Sequence, residues 1–182
     1  MNRTQSHRIS TNSAAINRQK LVHFKFDNKK YTGYEGDTLA SALLAHGVHL
    51  VGRSFKYHRP RGIFGSGSEE PNALVRLISD KSSEPNLRAT QIEIYDGLIA
   101  ESQNRFPSLK IDFLSINNVF RRFFPAGFYY KTFMWPTSFW MFYEKIIRKA
   151  AGLGKVSKKY QGPERYEHKY AHCDLLVVGS GA

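Results

Sequence analysis

A single cysteine, Cys173, stands in 182 residues, so neither a disulfide framework nor a cysteine-rich metal cluster can form within one chain, and a reducing compartment is the simplest setting. Long apolar runs are missing too. A membrane-spanning helix needs about 18 or more apolar residues in succession, and the most hydrophobic stretch, Phe120 to Tyr143, is broken by Arg121, Arg122, Lys131, Pro125 and Pro136. No membrane contact is expected, and a cytoplasmic location follows. Acidic residues are scarce: 15 Asp and Glu face 27 Lys and Arg, a formal charge of +12, which raises nucleic acid, a membrane surface, an acidic subunit or a bound phosphate as partners. The first 20 residues contain no acid and lack the apolar centre of a secretory signal. They resemble an organelle transit peptide in composition, yet the simpler reading is a disordered basic tail, residues 1–20.

What is present suffices for a core, since 41% of residues are hydrophobic. "LVHFKFD" alternates apolar and polar, "NKK" turns, and "YTGYEGD" returns, which predicts a hairpin. Asp37 or Thr38 then caps a helix over "TLASALLAHG", with Leu39, Leu43 and Leu44 on one face and Gly47 at its end. "NALVRLIS" predicts a strand. After a polar turn, "LRATQIEIYDGLIAES" predicts two short strands broken at Asp96-Gly97. A hairpin, one crossing helix and returning strands make the β-grasp pattern over residues 21–104, within an α+β class. From there an aromatic-rich connector, residues 105–171, runs in short helical pieces broken by Pro107, Pro125 and Pro136, with an amphipathic helix in "FWMFYEKIIRKAAGLGK" that ends at Gly152 or Gly154. That connector has two readings, a local core around the sheet or a surface for a partner.

The β-grasp order is that of plant-type 2Fe-2S ferredoxins, whose ligands follow a C-x4-C-x2-C spacing on the loop after the helix. Laid on "GIFGSGSEEPNALV", that spacing puts Gly65, Glu70 and Ala73 at the thiolate positions, and the fourth falls at Thr90 in "LRATQ". A cluster needs soft thiolates, so the domain is expected to carry no cluster and no redox activity of its own. The chain closes on "CDLLVVGSGA". Residues 172–182 predict the first strand of a Rossmann-type dinucleotide-binding unit and half of its phosphate turn, Gly179, Ser180, Gly181 and Ala182. With neither the third glycine nor the following helix in this sequence, negligible NAD affinity is expected.

Between helix and strand lies "GRSFKYHRPRG". Arg53, Lys56, His58, Arg59 and Arg61 sit among Phe55 and Tyr57, a composition suited to phosphate. Arg53, Lys56, Arg59 and Arg61 are the candidate contacts to a flavin phosphate or to the rest of a complex; a solvated, salt-bridged loop is the plainer alternative. Pro60 and Gly62 shape a loop rather than a groove-reading helix, which argues against nucleic acid. His46 and His49 have no companion ligands at zinc spacing and are read as structural. His168 and His172 have only Cys173 nearby. Glu69 and Glu70, adjacent in a loop, are expected to point apart, and no catalytic acid or base is assigned.

The segments "YTGYEGDTLASALLAHGVHLVGRSFKYHRPRGIFGSGSEEPNALV", "EPNLRATQIEIYDGL", "SQNRFPSLKID", "AGFYYKTFMWP" and "CDLLVVGSGA" together closely resemble the N-terminal part of the alpha subunit of heterotetrameric sarcosine oxidase. The resemblance covers about Ile16 to Ala182. It implies a longer parent chain, with NAD on the dinucleotide-binding region and tetrahydrofolate at a C-terminal region. It also implies FAD and FMN elsewhere in the complex, and beta, gamma and delta subunits as partners. The implied reaction is oxidative demethylation of sarcosine to glycine, giving formaldehyde or methylene-tetrahydrofolate and hydrogen peroxide. Related subunits of hydrogen cyanide synthase and of proline and opine dehydrogenases share the "RSFKYHRPRG"-like segment but generally keep the cluster cysteines. Gly65, Glu70, Ala73 and Thr90 therefore favour the sarcosine oxidase branch, with this stretch serving structure or assembly. A non-catalytic interaction module and a basic nucleic-acid binder are the other readings.

Overall fold

Alternation of buried and exposed side chains runs through Val22, Phe24 and Phe26 in strand β1 (Asn17–Phe26), which pairs antiparallel with β2 (Lys29–Glu35). The structure is a computed structural model that describes residues 5–11, 15–79, 82–123, 136–151 and 169–177, with side chains as far as residue 145 in the last helix. Asp27 and Asn28 link the two strands with φ of 47° and 63°, the left-handed pair that a two-residue hairpin turn requires. The turn thus precedes the two lysines, which open β2. Helix α1 (Leu39–Ala45) follows, its N-terminus capped by Thr38, whose side chain accepts the Ser41 N–H. Leu39, Ala42 and Leu43 are fully buried against the sheet.

After α1 come two short paired strands, β3 (Gly52–Arg53) and β4 (Pro60–Arg61). The sheet then resumes with β5 (Leu74–Ile78), β6 (Ser83–Arg88) and β7 (Ile99–Ser102). Its order is β2-β1-β7-β5-β6, with β1 and β7 parallel and the other pairs antiparallel. The predicted α+β arrangement, a mixed sheet with a helix on one face, is present. Phe24, Phe26, Leu39, Leu43, Val51, Val75 and Leu98 form the centre of the core, each contributing about 1.5–3 kcal/mol by leaving water.

Three expectations need correction. Strand β6 takes in residues 83–86 of the expected polar turn as well as Leu87 and Arg88, where a strand was expected to open, and it lies at the sheet edge; edge strands tolerate polar residues and proline because one side faces solvent. Pro85 lacks an N–H, and Asn86, at φ 64°, donates its own to Gln103 Oε1 at 2.8 Å. Ile92 and Ile94 are buried but do not form a strand. Their backbones bond to the start of α1 instead, through Leu39 N to Ile92 O at 2.7 Å and Ile94 N to Asp37 O at 3.0 Å. Finally, the basic tail gives way to order before residue 20. β1 starts at Asn17, and farther upstream Gln5 Nε2 donates to Thr32 O at 3.0 Å, His7 N to Ala45 O at 3.1 Å, and Arg8 pairs with Asp37.

The connector begins with 3-10 turns over Phe113–Asn118 and Arg121–Phe123. Farther on, Thr137–Phe139 leads into helix α2 (Trp140–Ala151); the predicted stop at Gly152 or Gly154 lies outside the described residues. Phe106, Phe113, Ile116, Val119, Phe120, Phe139 and Phe142 are exposed, whereas Leu109 and Asp112 are buried. Residues 169–177 form no strand, and Leu175, Leu176 and Val177 are exposed. A strand needs a hydrogen-bonding neighbour, and none lies beside this segment among the described residues. Gly179, Ser180, Gly181 and Ala182 lie outside the described residues, as does His168.

Gly33 lets β2 approach the helix: a Cβ there would stand 2.3 Å from Ile94 Cδ1 and 3.2 Å from Ala42 Cβ. Gly33→Val is expected to destabilise the chain by about 1–3 kcal/mol through overpacking, measured by chemical denaturation; an unchanged midpoint would mean that β2 is free to shift.

Candidate functional site

The loop between β4 and β5 is built around two carboxylates. Gly65 and Gly67 keep the backbone close to Glu69, whose Oε1 accepts the N–H groups of Ser66 and Gly67, both at 2.9 Å. Glu70 turns inward and is fully buried. Its Oε2 accepts Phe64 N at 2.7 Å together with Gly65 N, and its Oε1 accepts Asn72 N at 2.7 Å and Ala73 N at 3.1 Å. Thr90 donates its hydroxyl to Gly67 O at 2.7 Å, and Arg88 Nε donates to Glu70 O at 3.1 Å. The loop thus gathers Gly65, Glu70, Ala73 and Thr90, the four positions picked out by ferredoxin spacing. Glu69 and Glu70 point apart as expected, Glu69 outward and Glu70 inward; what the sequence did not disclose is that each accepts backbone donors of the same loop, because successive N–H groups in such a turn form an anion-binding concavity.

These surroundings set the acidity of both groups. Burial pushes the Glu70 pKa up, while the N–H groups of Gly65, Asn72, Phe64 and Ala73 pull it down, and the donors prevail. Hydrogen bonds from its own backbone and from Gly67 and Ser66 also hold Glu69 below its ordinary value.

A 2Fe-2S cluster does not fit here. Its four ligand positions offer a hydrogen, a methyl, a hydroxyl already bonded to a carbonyl, and a carboxylate already saturated with backbone donors, where soft thiolates are needed. Among the described residues no group of three or more His, Cys, Asp and Glu side chains is placed to hold a metal.

The basic loop divides between inside and outside. Arg53 points inward: Nε and Nη2 donate to Leu109 O at 2.9 and 2.6 Å, and Nη1 donates to His58 O at 2.7 Å. His58 is buried at φ 52°, with Nδ1 2.7 Å from Asp112 Oδ2. Asp112 also accepts Phe106 N at 3.0 Å and Leu114 N at 3.2 Å through Oδ1. As a candidate phosphate contact Arg53 is therefore corrected, since its donors are committed to carbonyls of the connector and of its own loop. Arg59 stacks on Tyr57, 4.7 Å from the ring centre, and donates to Asn118 Oδ1 at 2.9 Å. Lys56 Nζ lies 5.0 Å from the same ring, and Arg61 is exposed in β4. The loop clamps the connector onto the sheet domain, and Lys56, Arg59 and Arg61 line its outer side.

His46 Nε2 donates to Thr32 O at 2.7 Å, and His49 meets the ring of His7 edge to face at 5.8 Å. Composition gave no sign of the His58–Asp112 pair; its one local signal is a histidine at positive φ, visible only in three dimensions.

Residues 19–105 match the 2Fe-2S iron-sulfur cluster binding domain family, so the sheet and its loop define a ferredoxin-type domain whose ligand positions have lost their thiolates. Along 91% of its length the chain is 56% identical to sarcosine oxidase subunit alpha of Rhizobium meliloti (strain 1021), spanning 17% of that protein. It is 30% identical to sarcosine oxidase subunit alpha of Corynebacterium sp. (strain U-96) over 94% of this chain and 13% of that one. With its counterpart from Corynebacterium sp. (strain P-1) it shares 37% identity over 93% of this chain and 13% of the relative. By sequence, then, the chain is similar along nearly its whole length to sarcosine oxidase alpha subunits, and it spans 13% to 17% of the length of these curated relatives. Among solved structures, L-proline dehydrogenase from P. horikoshii aligns with 48% of this chain and 16% of that one, at 31% identity and a TM-score of 0.38.

Two outcomes follow from this geometry. Asp112→Ala leaves the buried His58 and the N–H groups of Phe106 and Leu114 without their acceptor and is expected to cost about 1–3 kcal/mol, read by denaturant unfolding; a cost near zero would show that the clamp is dispensable. The Glu70 carboxyl, held below 4.5 in the folded chain, contributes stability that is complete above that value and is lost as pH falls through the folded pKa. Thermal midpoints taken from pH 7 downward should fall in the acid range, and less so for Glu70→Gln than for the unaltered chain.

Proposed function

We propose that this chain is the N-terminal part of a sarcosine oxidase alpha subunit and serves that complex as a cluster-free structural and docking domain. The observation that supports this most directly is the 56% identity carried along 91% of the chain, joined to ligand positions that hold Gly65, Glu70, Ala73 and Thr90. The reaction proposed for the parent complex is oxidative demethylation of sarcosine to glycine, with formaldehyde or methylene-tetrahydrofolate and hydrogen peroxide as products. FAD and FMN belong to the complex and NAD to the parent chain, where Gly179, Ser180, Gly181 and Ala182 would open the pyrophosphate turn. No acid, base or electron carrier in this chain takes part in the chemistry.

This chain's own residues hold a shape. Arg53, bonded to Leu109 O, and the His58–Asp112 pair fix the start of the connector, and the connector displays Phe113, Ile116, Val119 and Phe120 to the outside. Such an array of large apolar side chains suits a subunit or interdomain contact. Beta, gamma and delta subunits are the proposed partners, with Lys56, Arg59 and Arg61 at the edge of the same surface.

An affinity tag on this chain in its native source tests the reading. The captured chain should be several times heavier than 20.9 kDa, bring flavin-containing partners with it, and release peroxide with sarcosine. A captured chain of that mass alone, or an assembly that oxidises L-proline in preference to sarcosine, would overturn it.

A further inference from the structure

We propose that Glu70 is a built-in anion that replaces an iron–sulfur cluster as the organising centre of its loop, so that this domain acquires a ferredoxin-type loop without iron. In a cluster-bearing loop the backbone N–H groups turn toward the sulfur atoms, and the negative charge of the cluster and its thiolates keeps them there. Removing the thiolates by substitution would leave those donors unmatched, which destabilises the loop. Here the side chain at the second ligand position enters the vacated space and accepts Phe64 N and Gly65 N on one oxygen and Asn72 N and Ala73 N on the other. These donors belong to the first ligand position and its neighbour, and to the third ligand position and its neighbour. The carboxylate therefore ties together the two sides of the loop that a metal centre would join. At the fourth position Thr90 closes the ring from the strand side through Gly67 O.

Length and charge both matter to this substitution. Glutamate reaches all four donors from a position whose own backbone carbonyl accepts from Arg88, and the carboxylate offers acceptor capacity on both oxygens with no donor to be satisfied. Glutamine would turn one end into a donor facing two N–H groups. Glu69, one residue earlier, serves as an internal control. It accepts two N–H groups of the same loop from an exposed position, where water can take over.

Thermal unfolding of the full chain tests this in three comparisons. Glu70→Gln should lower the midpoint by about 10 °C or more, Glu69→Gln by much less, and a Glu70→Ala chain should regain part of its loss when formate is added. A Glu70→Gln chain that melts with the unaltered one, or a Glu69→Gln loss equal to it, would overturn the proposal. Should neither Glu70 variant fold, the unaltered chain decides. Refolded in excess chelator it should reach the same midpoint as when refolded with ferrous iron and sulfide, with no visible absorption in either. A higher midpoint or a coloured product with iron and sulfide would overturn the proposal.

Discussion

A carboxylate taken out of water must find donors for its oxygens, and among the described residues three buried acids meet that demand with backbone N–H groups. Asp37, Glu70 and Asp112 are all buried, and each joins segments that regular secondary structure leaves unconnected. Asp37 accepts Tyr34 N at 2.9 Å and the Ser41 hydroxyl at 2.8 Å and pairs with Arg8, so the turn after β2, the start of α1 and the upstream segment meet at one side chain. Glu70 closes the loop before β5. Asp112 fastens the connector to the basic loop. In a protein with a formal charge of +12, the acids that shape the fold are on the inside, and lysines and arginines dominate the solvent side by default.

Sequence pattern was a good guide where structure is local. The alternation Val22, Phe24, Phe26, the capped helix with Leu39 and Leu43 buried, and the strand at Leu74–Ile78 all follow from periods of 2.0 and 3.6 residues, although Leu44, expected on the same helix face, is exposed because it lies at the margin of the buried stripe. The first four residues of β6, 83–86, were illegible because an edge strand is specified by its neighbour more than by its own hydrophobicity. Ile92 and Ile94 misled for the opposite reason: apolar alternation marks burial, and burial here comes from covering the helix start rather than from joining a ladder. The site was legible only as a set of missing thiolates. That the glutamate at one of those positions would become the acceptor for two others depends on how a loop folds back, which no periodicity encodes. His58 and Asp112 are 54 residues apart, so nothing short of tertiary structure could have paired them.

The basic loop shows how composition can mislead about ligands. Five basic residues within nine positions suggested phosphate, yet Arg53 spends its donors on Leu109 O and His58 O, and its guanidinium acts as a bracket. An arginine facing carbonyls is a structural part with the same composition as a binding site. What separates the two is whether its donors face the protein or the solvent, and by that measure Arg61, exposed in β4, differs from Arg53, while Arg59 is exposed yet gives one donor to Asn118 Oδ1.

The strand at the far edge, β6, limits how the sheet can grow. Pro85 has no N–H to give and that of Asn86 is already committed to Gln103, so an incoming extended chain would meet a broken row of donors. Backbone pairing, the commonest route by which exposed sheets coalesce into fibres, is thereby discouraged on that side. At the opposite edge the side chains of Gln5 and His46 both donate to Thr32 O. Assembly is left to side-chain surfaces, whose shapes discriminate between partners in a way that a bare strand edge does not.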